Sequence, residues 1–265
     1  MKERKKTKMK TKIDPVCRRT DAILEELRKA GGYYLCPKGS DGKWNGPVVG
    51  YAGRYDDGSG KQIQFVGREY ADFSVFEEKV LILSKVIDFW NPFLKREILE
   101  EVFKGAVFCG MPEGGKAVAL LLALSNDGCR YVFPEKRQIS EATNSGRAVT
   151  EMFWGRHCPK EGDSVFIVED VCNSFSTTSE AIRLIESVGA KVSAILCLFN
   201  RSEKFEDVFT GDDSDTYSIP ILALARKRIA QFRQDDPEVA DDIARGNVVW
   251  KPKHERERLA KAMSG

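Results

Sequence analysis

Glu169 and Asp170 are neighbours standing between an apolar, β-branched run, Ser164–Val168, and a run of small polar residues that includes Asn173, Ser174, Ser176, Thr177 and Thr178. The apolar run predicts a buried strand. The two acids then fall at its carboxyl end, where open α/β sheets keep their ligands. Thr177 and Glu180 have capping-box spacing, which predicts a helix opening at Thr177 with free amide groups facing the polar turn. Free amides and the positive end of a helix dipole favour an anion, most simply a phosphate. Carboxylates able to accept hydrogen bonds from vicinal sugar hydroxyls, set beside a phosphate cradle, suit a ribose 5-phosphate. A solvated acidic turn followed by a capped helix is the competing reading of the same residues.

A second segment with chemical potential is Gly110–Ala117, GMPEGGKA, which follows the apolar run Ala106–Cys109. It satisfies the P-loop pattern G-x-x-x-x-G-K-[ST] except at Ala117, which lacks the hydroxyl that would ligate magnesium. A P-loop NTPase is therefore a competing function. Against it stands the Ser/Thr-rich turn after the acid pair, which has no task in such an enzyme.

The segment VFIVEDVCNSFSTTSEAI resembles the phosphoribosyl-pyrophosphate (PRPP) motif of the type I phosphoribosyltransferases, and the order of the neighbouring segments resembles the orotate phosphoribosyltransferases most. The resemblance runs from about Asp21 to Ser202. It departs from the family at Phe175, where glycine is usual, and at Asn173, where threonine is common. The resemblance implies an α/β fold, a mostly parallel sheet flanked by helices with a small N-terminal hood. It also implies transfer of a phosphoribosyl group from PRPP to a base, orotate or a related pyrimidine, with release of pyrophosphate.

Residue by residue, the resemblance gives the ribose to Glu169 and Asp170, which would reach Mg²⁺ indirectly, through PRPP or water. Asn173, Ser174, Phe175, Ser176 and Thr177 would hold the 5-phosphate of PRPP, and the loop with Gly110, Glu113, Gly114, Gly115 and Lys116 its pyrophosphate. Phe133-Pro134-Glu135-Lys136-Arg137 is similar to the start of the family's closing loop, with Lys136 in the position of its catalytic lysine; the family's loop histidine has no counterpart before His157. Arg201 would contact the base, with a surface arginine as the alternative. Lys38 stands near a base-contacting turn of the family, with a solvated loop lysine as the alternative. A homodimer is implied as well. A non-catalytic module of the same fold that senses PRPP or a nucleotide remains open, and Phe175 and the missing histidine speak for it.

These residues need elements to position them. Ile23, Leu24 and Leu27 predict an amphipathic first helix ending at Gly31-Gly32, followed by the β-like run Tyr33–Leu35 and a glycine- and aromatic-rich region of hairpins. Gln62–Gly67 reads as a strand, and Phe73–Trp90 as one long helix with Phe76, Val80, Leu83 and Ile87 as its stripe. Strands are predicted at Ala106–Cys109, Tyr131–Phe133, Val192–Phe199 and Ile219–Leu224, alternating with helices as in a parallel sheet. Gln138–Thr150 has little periodicity and reads as a long loop. The domain reading is a basic, disordered tail over 1–13, a phosphoribosyltransferase-like domain over 14–225 with its hood at about 20–70, and a charged extension over 226–265, mostly helical from Pro237.

The formal net charge of +2 conceals the basic tail, MKERKKTKMKTK; without it the body is acidic. The tail could meet nucleic acid, but a solubilising arm is the favoured reading. No apolar stretch is long enough to span a bilayer, no secretory signal pattern is present, and the seven cysteines contain no C-x-x-C pair, so the chain reads as cytoplasmic with free thiols. Two histidines, His157 and His254, argue against a histidine-based metal site. Cys109 and Cys172 read as packing residues.

Overall fold

The computed structural model describes residues 15–98, 100–140, 149–211 and 218–264. The basic tail and residues 141–148, the middle of the expected loop, lie outside the described residues. Ile23, Leu24 and Leu27 are buried along α1 (Pro15–Lys29), and Gly31, at φ +84°, terminates it in the left-handed conformation that glycine adopts without a side-chain clash. There follow β1 (Tyr33–Leu35), β2 (Val48–Asp56), β3 (Gln62–Gly67) and β4 (Glu69–Ala71). β2 and β3 pair antiparallel, as do β1 and β4, and together they form the hood.

The single helix expected over Phe73–Trp90 is two. α2 (Ser74–Glu78) and α3 (Val80–Glu97) are separated at Lys79, whose φ and ψ of −110° and 69° are not helical. Asp72 Oδ1 accepts hydrogen bonds from both the amide and the hydroxyl of Ser74, which fixes the first turn independently of the second helix. The break resets the helical phase, so Val80 is 61% exposed instead of lying on the stripe, while Leu83, Val86, Ile87, Trp90 and Leu94 are buried. α4 (Glu100–Phe103) leads to the sheet.

The remaining elements are β5 (Val107–Gly110), α5 (Gly115–Leu124), β6 (Arg130–Val132), β7 (Glu135–Ser140), β8 (Val149–Phe153), β9 (Ser164–Cys172), α6 (Ser176–Glu186), β10 (Lys191–Asn200), β11 (Val208–Thr210), β12 (Ser218–Arg226), α7 (Ala240–Ala244), β13 (Val248–Val249) and α8 (Arg256–Ser264). The central sheet has the order β11-β12-β10-β9-β5-β6 and is parallel apart from the β11 edge. Both faces are covered, which is why these strands read as continuous apolar runs. Phe108, Phe166, Val168 and Leu196 pack beneath α3 and α5, whereas Val107, Cys109, Val165, Ile167 and Cys197 pack beneath α6. From β5 the chain winds outward to β6, and from β9 it winds the other way to β10 and β12. The crevice at the carboxyl ends of β5 and β9 is thus the switch point where such sheets bind ligands.

Residues 226–264, expected as a charged extension that is mostly helical from Pro237, carry a strand and two short helices and pack against the hood. β13 pairs parallel with β2, and Phe232 exchanges backbone hydrogen bonds with Val66. Arg68 and Asp242 form a buried ion pair at 2.9 Å, and Arg256 donates two hydrogen bonds to Asp72 Oδ2, at 2.6 and 3.0 Å. Asp242→Ala should therefore leave the Arg68 guanidinium buried without its counter-charge and cost about 3–5 kcal/mol. Urea denaturation measures it. Arg68→Met combined with Asp242→Leu should recover most of the loss, because two apolar side chains leave no stranded charge.

Candidate active site

β9 extends to Cys172, beyond the Val168 limit read from the sequence, so Glu169 and Asp170 lie inside the strand. Its pairing with β5 ends at Val168, opposite Gly110, while its pairing with β10 continues to Cys172. The acids therefore occupy the stretch where one edge of the strand is free. Alternation along the strand sends them to opposite faces, Glu169 with Ile167 toward the α6 side and Asp170 with Val168 toward the α5 side.

The loop after β5 closes against this stretch. The Met111 amide donates to the Val168 carbonyl at 2.9 Å. A Cβ at Gly115 would collide with that same carbonyl oxygen, one at Gly114 would enter the Asp170 carboxylate, and one at Gly110 would stand 2.7 Å from Lys116 Cα. Three glycines are needed because the backbone is the packing surface. The Pro112–Glu113 peptide is cis. The amides of Glu113 and Gly114 find no acceptor among the described residues, whereas those of Gly115 and Lys116 are taken by the carbonyls of Met111 and Glu113. Lys116 Nζ pairs with the exposed Glu113 at 2.8 Å.

Glu169 is only 9% exposed. Burial pushes its pKa well above the usual carboxylate range, the Asp170 charge pushes it further, and Lys136 opposes them. Asp170 is also raised, chiefly by burial, against the hydrogen bond it accepts from the Val171 amide at 2.7 Å and the charge of Lys253. A third carboxylate, Glu77 of α2, faces Asp170. Burial first and then the Asp170 charge lift its pKa to about 7, and its Oε1 is buried without a partner.

The polar turn departs from the expected capping box. α6 opens at Ser176 with Phe175 as N-cap, at φ 59° and ψ 15°, and no side chain caps it. With the cap at Phe175, Glu180 is too far along the helix to reach back; its Oε1 accepts the Met152 amide at 2.7 Å instead. The amides of Ser174, Phe175, Ser176 and Thr177 donate to no acceptor among the described residues, and the hydroxyls of Ser174 and Ser176 lie 3.2 Å apart. Asn173 Oδ1 accepts from Gln231 Nε2 at 3.3 Å. Phe175 thus takes the left-handed conformation that favours glycine. Its ring leaves the amides entirely and packs on Phe205 and Phe209, with centroids 5.3 and 5.6 Å away.

The two ends of the loop expected over Gln138–Thr150 belong to an antiparallel ribbon of Glu135–Ser140 and Val149–Phe153. The Glu180 bond to Met152 and that of Trp154 Nε1 to the Leu184 carbonyl, at 3.2 Å, fasten its base to α6. Lys136, opposite Met152, is exposed, and its charge bears on Glu169. Arg201 follows β10, half-buried over the ring of Tyr51 at 4.8 Å from its centroid. Lys38 Nζ lies over the ring of Trp44, 4.3 Å from its centroid. Cys109 and Cys172 are buried with thiol pKa values pushed up, mainly by burial for Cys109 and first by the Cys197 hydrogen bond for Cys172, so both are inert packing groups. Glu77, Tyr70, Gln231 and Lys253 escaped the sequence reading because their segments carry no motif and only the tertiary fold brings them here.

In motif order and in fold the chain resembles the type I phosphoribosyltransferases: α/β, with a mostly parallel sheet flanked by helices. Among curated proteins it is similar to an orotate phosphoribosyltransferase from Thermococcus gammatolerans, 33% identical over 82 residues. That match covers 29% of this chain and 42% of that enzyme, less than half of the relative's length. No family model matches. Similar solved structures include the orotate phosphoribosyltransferase from Aeropyrum pernix, 18% identical with a TM-score of 0.43, covering 77% of this chain and 93% of that one. Another is the adenine phosphoribosyltransferase from Trypanosoma brucei in complex with AMP, pyrophosphate and ribose-5-phosphate, 11% identical with a TM-score of 0.48, covering 78% and 79%.

Two predictions follow from the geometry. Phe175→Gly relieves a left-handed strain of about 1–2 kcal/mol but deletes a buried ring whose loss costs about 3–5 kcal/mol. The variant should be less stable by about 1–4 kcal/mol in chemical denaturation. For Glu77, a native pKa of about 7 against 4.5 in its absence means that the folded state holds the extra proton between those values. Its contribution to stability is present below pH 4.5 and lost as the pH rises through 7. Thermal melts across pH 4–8 should show Glu77→Gln more stable than wild type above pH 7, with the difference vanishing at the acid end; parallel curves would refute the assignment.

Proposed function

We propose that the chain transfers a phosphoribosyl group from PRPP to a nitrogenous base, orotate or a related pyrimidine in preference, and releases pyrophosphate. The observation that carries this reading is the juxtaposition, at the switch point of the sheet, of a buried carboxylate, Glu169, and a half-buried one, Asp170, with a turn of free amides. Glu169 and Asp170 accept the ribose hydroxyls. The amides of Ser174–Thr177 and the hydroxyls of Ser174 and Ser176 hold the 5-phosphate, with Asn173 steadied by Gln231. The amides of Glu113 and Gly114, presented by the loop from Gly110 to Lys116, face the pyrophosphate. Lys136, on a ribbon whose base is fastened to α6, meets the charge that grows on the leaving group, and closure of that ribbon excludes water. Arg201 orients the base; Lys38, whose ammonium is engaged on the Trp44 ring, is given no part in this.

Among the described residues no group of three or more histidine, cysteine or acidic side chains is placed to hold a metal. Magnesium fits the site as a cation carried by PRPP, reached by Glu169 and Asp170 through PRPP or water; its charge offsets the repulsion between the two acids. When bound it neutralises the pyrophosphate. A homodimer, with the ribbon near a neighbouring site, and a cytoplasmic setting belong to the same proposal, as does the division into a catalytic domain over 14–225 and an extension over 226–265.

A P-loop NTPase fits less well, because the amides of Gly115 and Lys116 are occupied inside the turn and Lys116 pairs with Glu113. A non-catalytic PRPP sensor would gain support from a ring obstructing the phosphate turn, and the Phe175 ring is packed away from it. Calorimetry tests the proposal. PRPP should bind with magnesium dependence, and Glu169→Gln with Asp170→Asn should weaken it about 100-fold or more, since two charge-assisted hydrogen bonds are lost. Unchanged affinity of the folded double variant would remove the carboxylate role, and pyrophosphate release by the wild type separates enzyme from sensor.

A further inference from the structure

A cavity of about 340 Å³ opens beside Val171, lined by Tyr51 and Tyr70 of the hood, by Arg201, and by the segment Trp250–His254. It falls at the lower end of the range of small-molecule sites. Under the transferase reading, on which this inference rests, its place next to Asp170 makes it the pocket of the acceptor base. One wall is thus supplied by a segment well beyond Ser202, where the family resemblance ends.

The chemistry of the lining is one-sided. Arg201, Lys251, Lys253 and His254 contribute to it, and no carboxylate does. Lys253 is engaged by Asp72 at 3.6 Å, but neither Arg201 nor Lys251 has an ion pair among the described residues. Arg201 is held in an environment that disfavours its charge through burial, a cost that an anionic ligand would offset. The aromatic content is equally directed. Trp250 packs against the backbone at Gly50, where a Cβ would stand 3.0 Å from Trp250 Cε3, yet it remains 39% exposed toward the cavity it shares with Tyr51 and Tyr70. The segment is held on both sides, by the β13–β2 pairing before it and by the Arg256–Asp72 hydrogen bonds after it.

We propose that Trp250 and Lys251 select the acceptor: Trp250 offers a stacking face to a planar ring, and Lys251, with Arg201, pairs an acidic substituent on that ring. The favoured acceptor is accordingly a carboxylate-bearing single ring, and the selecting residues lie on a C-terminal segment instead of on the hood alone.

The test uses the full-length chain with orotate as the carboxylated ring, uracil as its neutral counterpart and adenine as the two-ring base. PRPP affinity is measured alongside by calorimetry, and matched melting curves control for folding. Wild type should prefer orotate. Lys251→Met should raise the KM or Kd for orotate about 10-fold and leave uracil and PRPP unchanged. Trp250→Ala should weaken every ring, and Trp250→Phe should restore most of the loss. Binding of the rings to the PRPP-loaded protein gives the same readout if turnover is slow. Unaltered orotate binding by the folded Trp250→Ala/Lys251→Met variant, or a wild-type preference for uracil or adenine, would overturn the proposal while PRPP binding leaves the transferase reading standing. Failure of the wild type to bind PRPP would sink that reading and this inference with it.

Discussion

Two carboxylates on consecutive residues of a buried strand are the constraint around which this molecule is arranged. Burial disfavours the ionised form of each, and the Asp170 charge adds to it at Glu169 and the Asp72 charge at Asp170; no cation pairs directly with either among the described residues. Strand geometry limits the conflict by sending them to opposite faces. Each face then has its own remedy: Lys136 across from Glu169, Lys253 at a distance from Asp170, and on the Asp170 side a loop so close that Gly114 can carry no side chain. The acids are left with acceptor capacity that the fold does not use, which is what recognition of sugar hydroxyls requires.

Phe175 shows how a local rule can be broken without loss of the geometry it protects. The left-handed conformation is kept, and the ring turns away into the core between α6 and the loop after β10. The strain is about 1–2 kcal/mol, smaller than the gain of about 1.5–3 kcal/mol from burying the ring. That loop is itself ordered by Asn200, whose side-chain amide donates to the carbonyls of Phe205 and Glu206 at 2.9 and 3.0 Å. One buried asparagine therefore supports Phe205, and through it Phe175 and the amides of the turn.

What the sequence made legible was whatever has a period or a local motif. The strands at Val107, Val165 and Lys191 announce themselves by apolar runs, and the acids, the glycines and the polar turn by their place after those runs. The ribbon of Glu135–Ser140 and Val149–Phe153 did not, because its exposed, charged strands lack an apolar face; it is held by Glu180 and Trp154 from outside. The broken helix at Lys79 escaped because the Asp72–Ser74 bonds outweigh a continuous hydrophobic stripe. Arg201 was visible from its position after a strand, whereas Lys38, read from a loop of uncertain length, stands over Trp44. The role of residues 226–264 was the least visible, since a short strand and two short helices derive their order almost wholly from the hood they cover.

That last segment also explains a contrast between neighbouring acids. Asp72, at 3% exposed, is more deeply buried than Glu169 at 9%. Burial works against its charge, but the hydrogen bonds from Ser74 and Arg256 and the charge of Lys253 outweigh it and hold its pKa below the ordinary range. Asp170 and Glu77, close by, are both raised. The C-terminal cations are thus concentrated on Asp72, which becomes a permanent anchor for the wall of the cavity, while Asp170 and Glu77 feel Lys253 only at a distance and have no ion pair among the described residues. Environments that push the pKa values of adjacent carboxylates apart separate structural roles from chemical ones. By that criterion Asp72 fixes the C-terminal segment to the hood, and the acids facing the crevice are the ones left for a ligand.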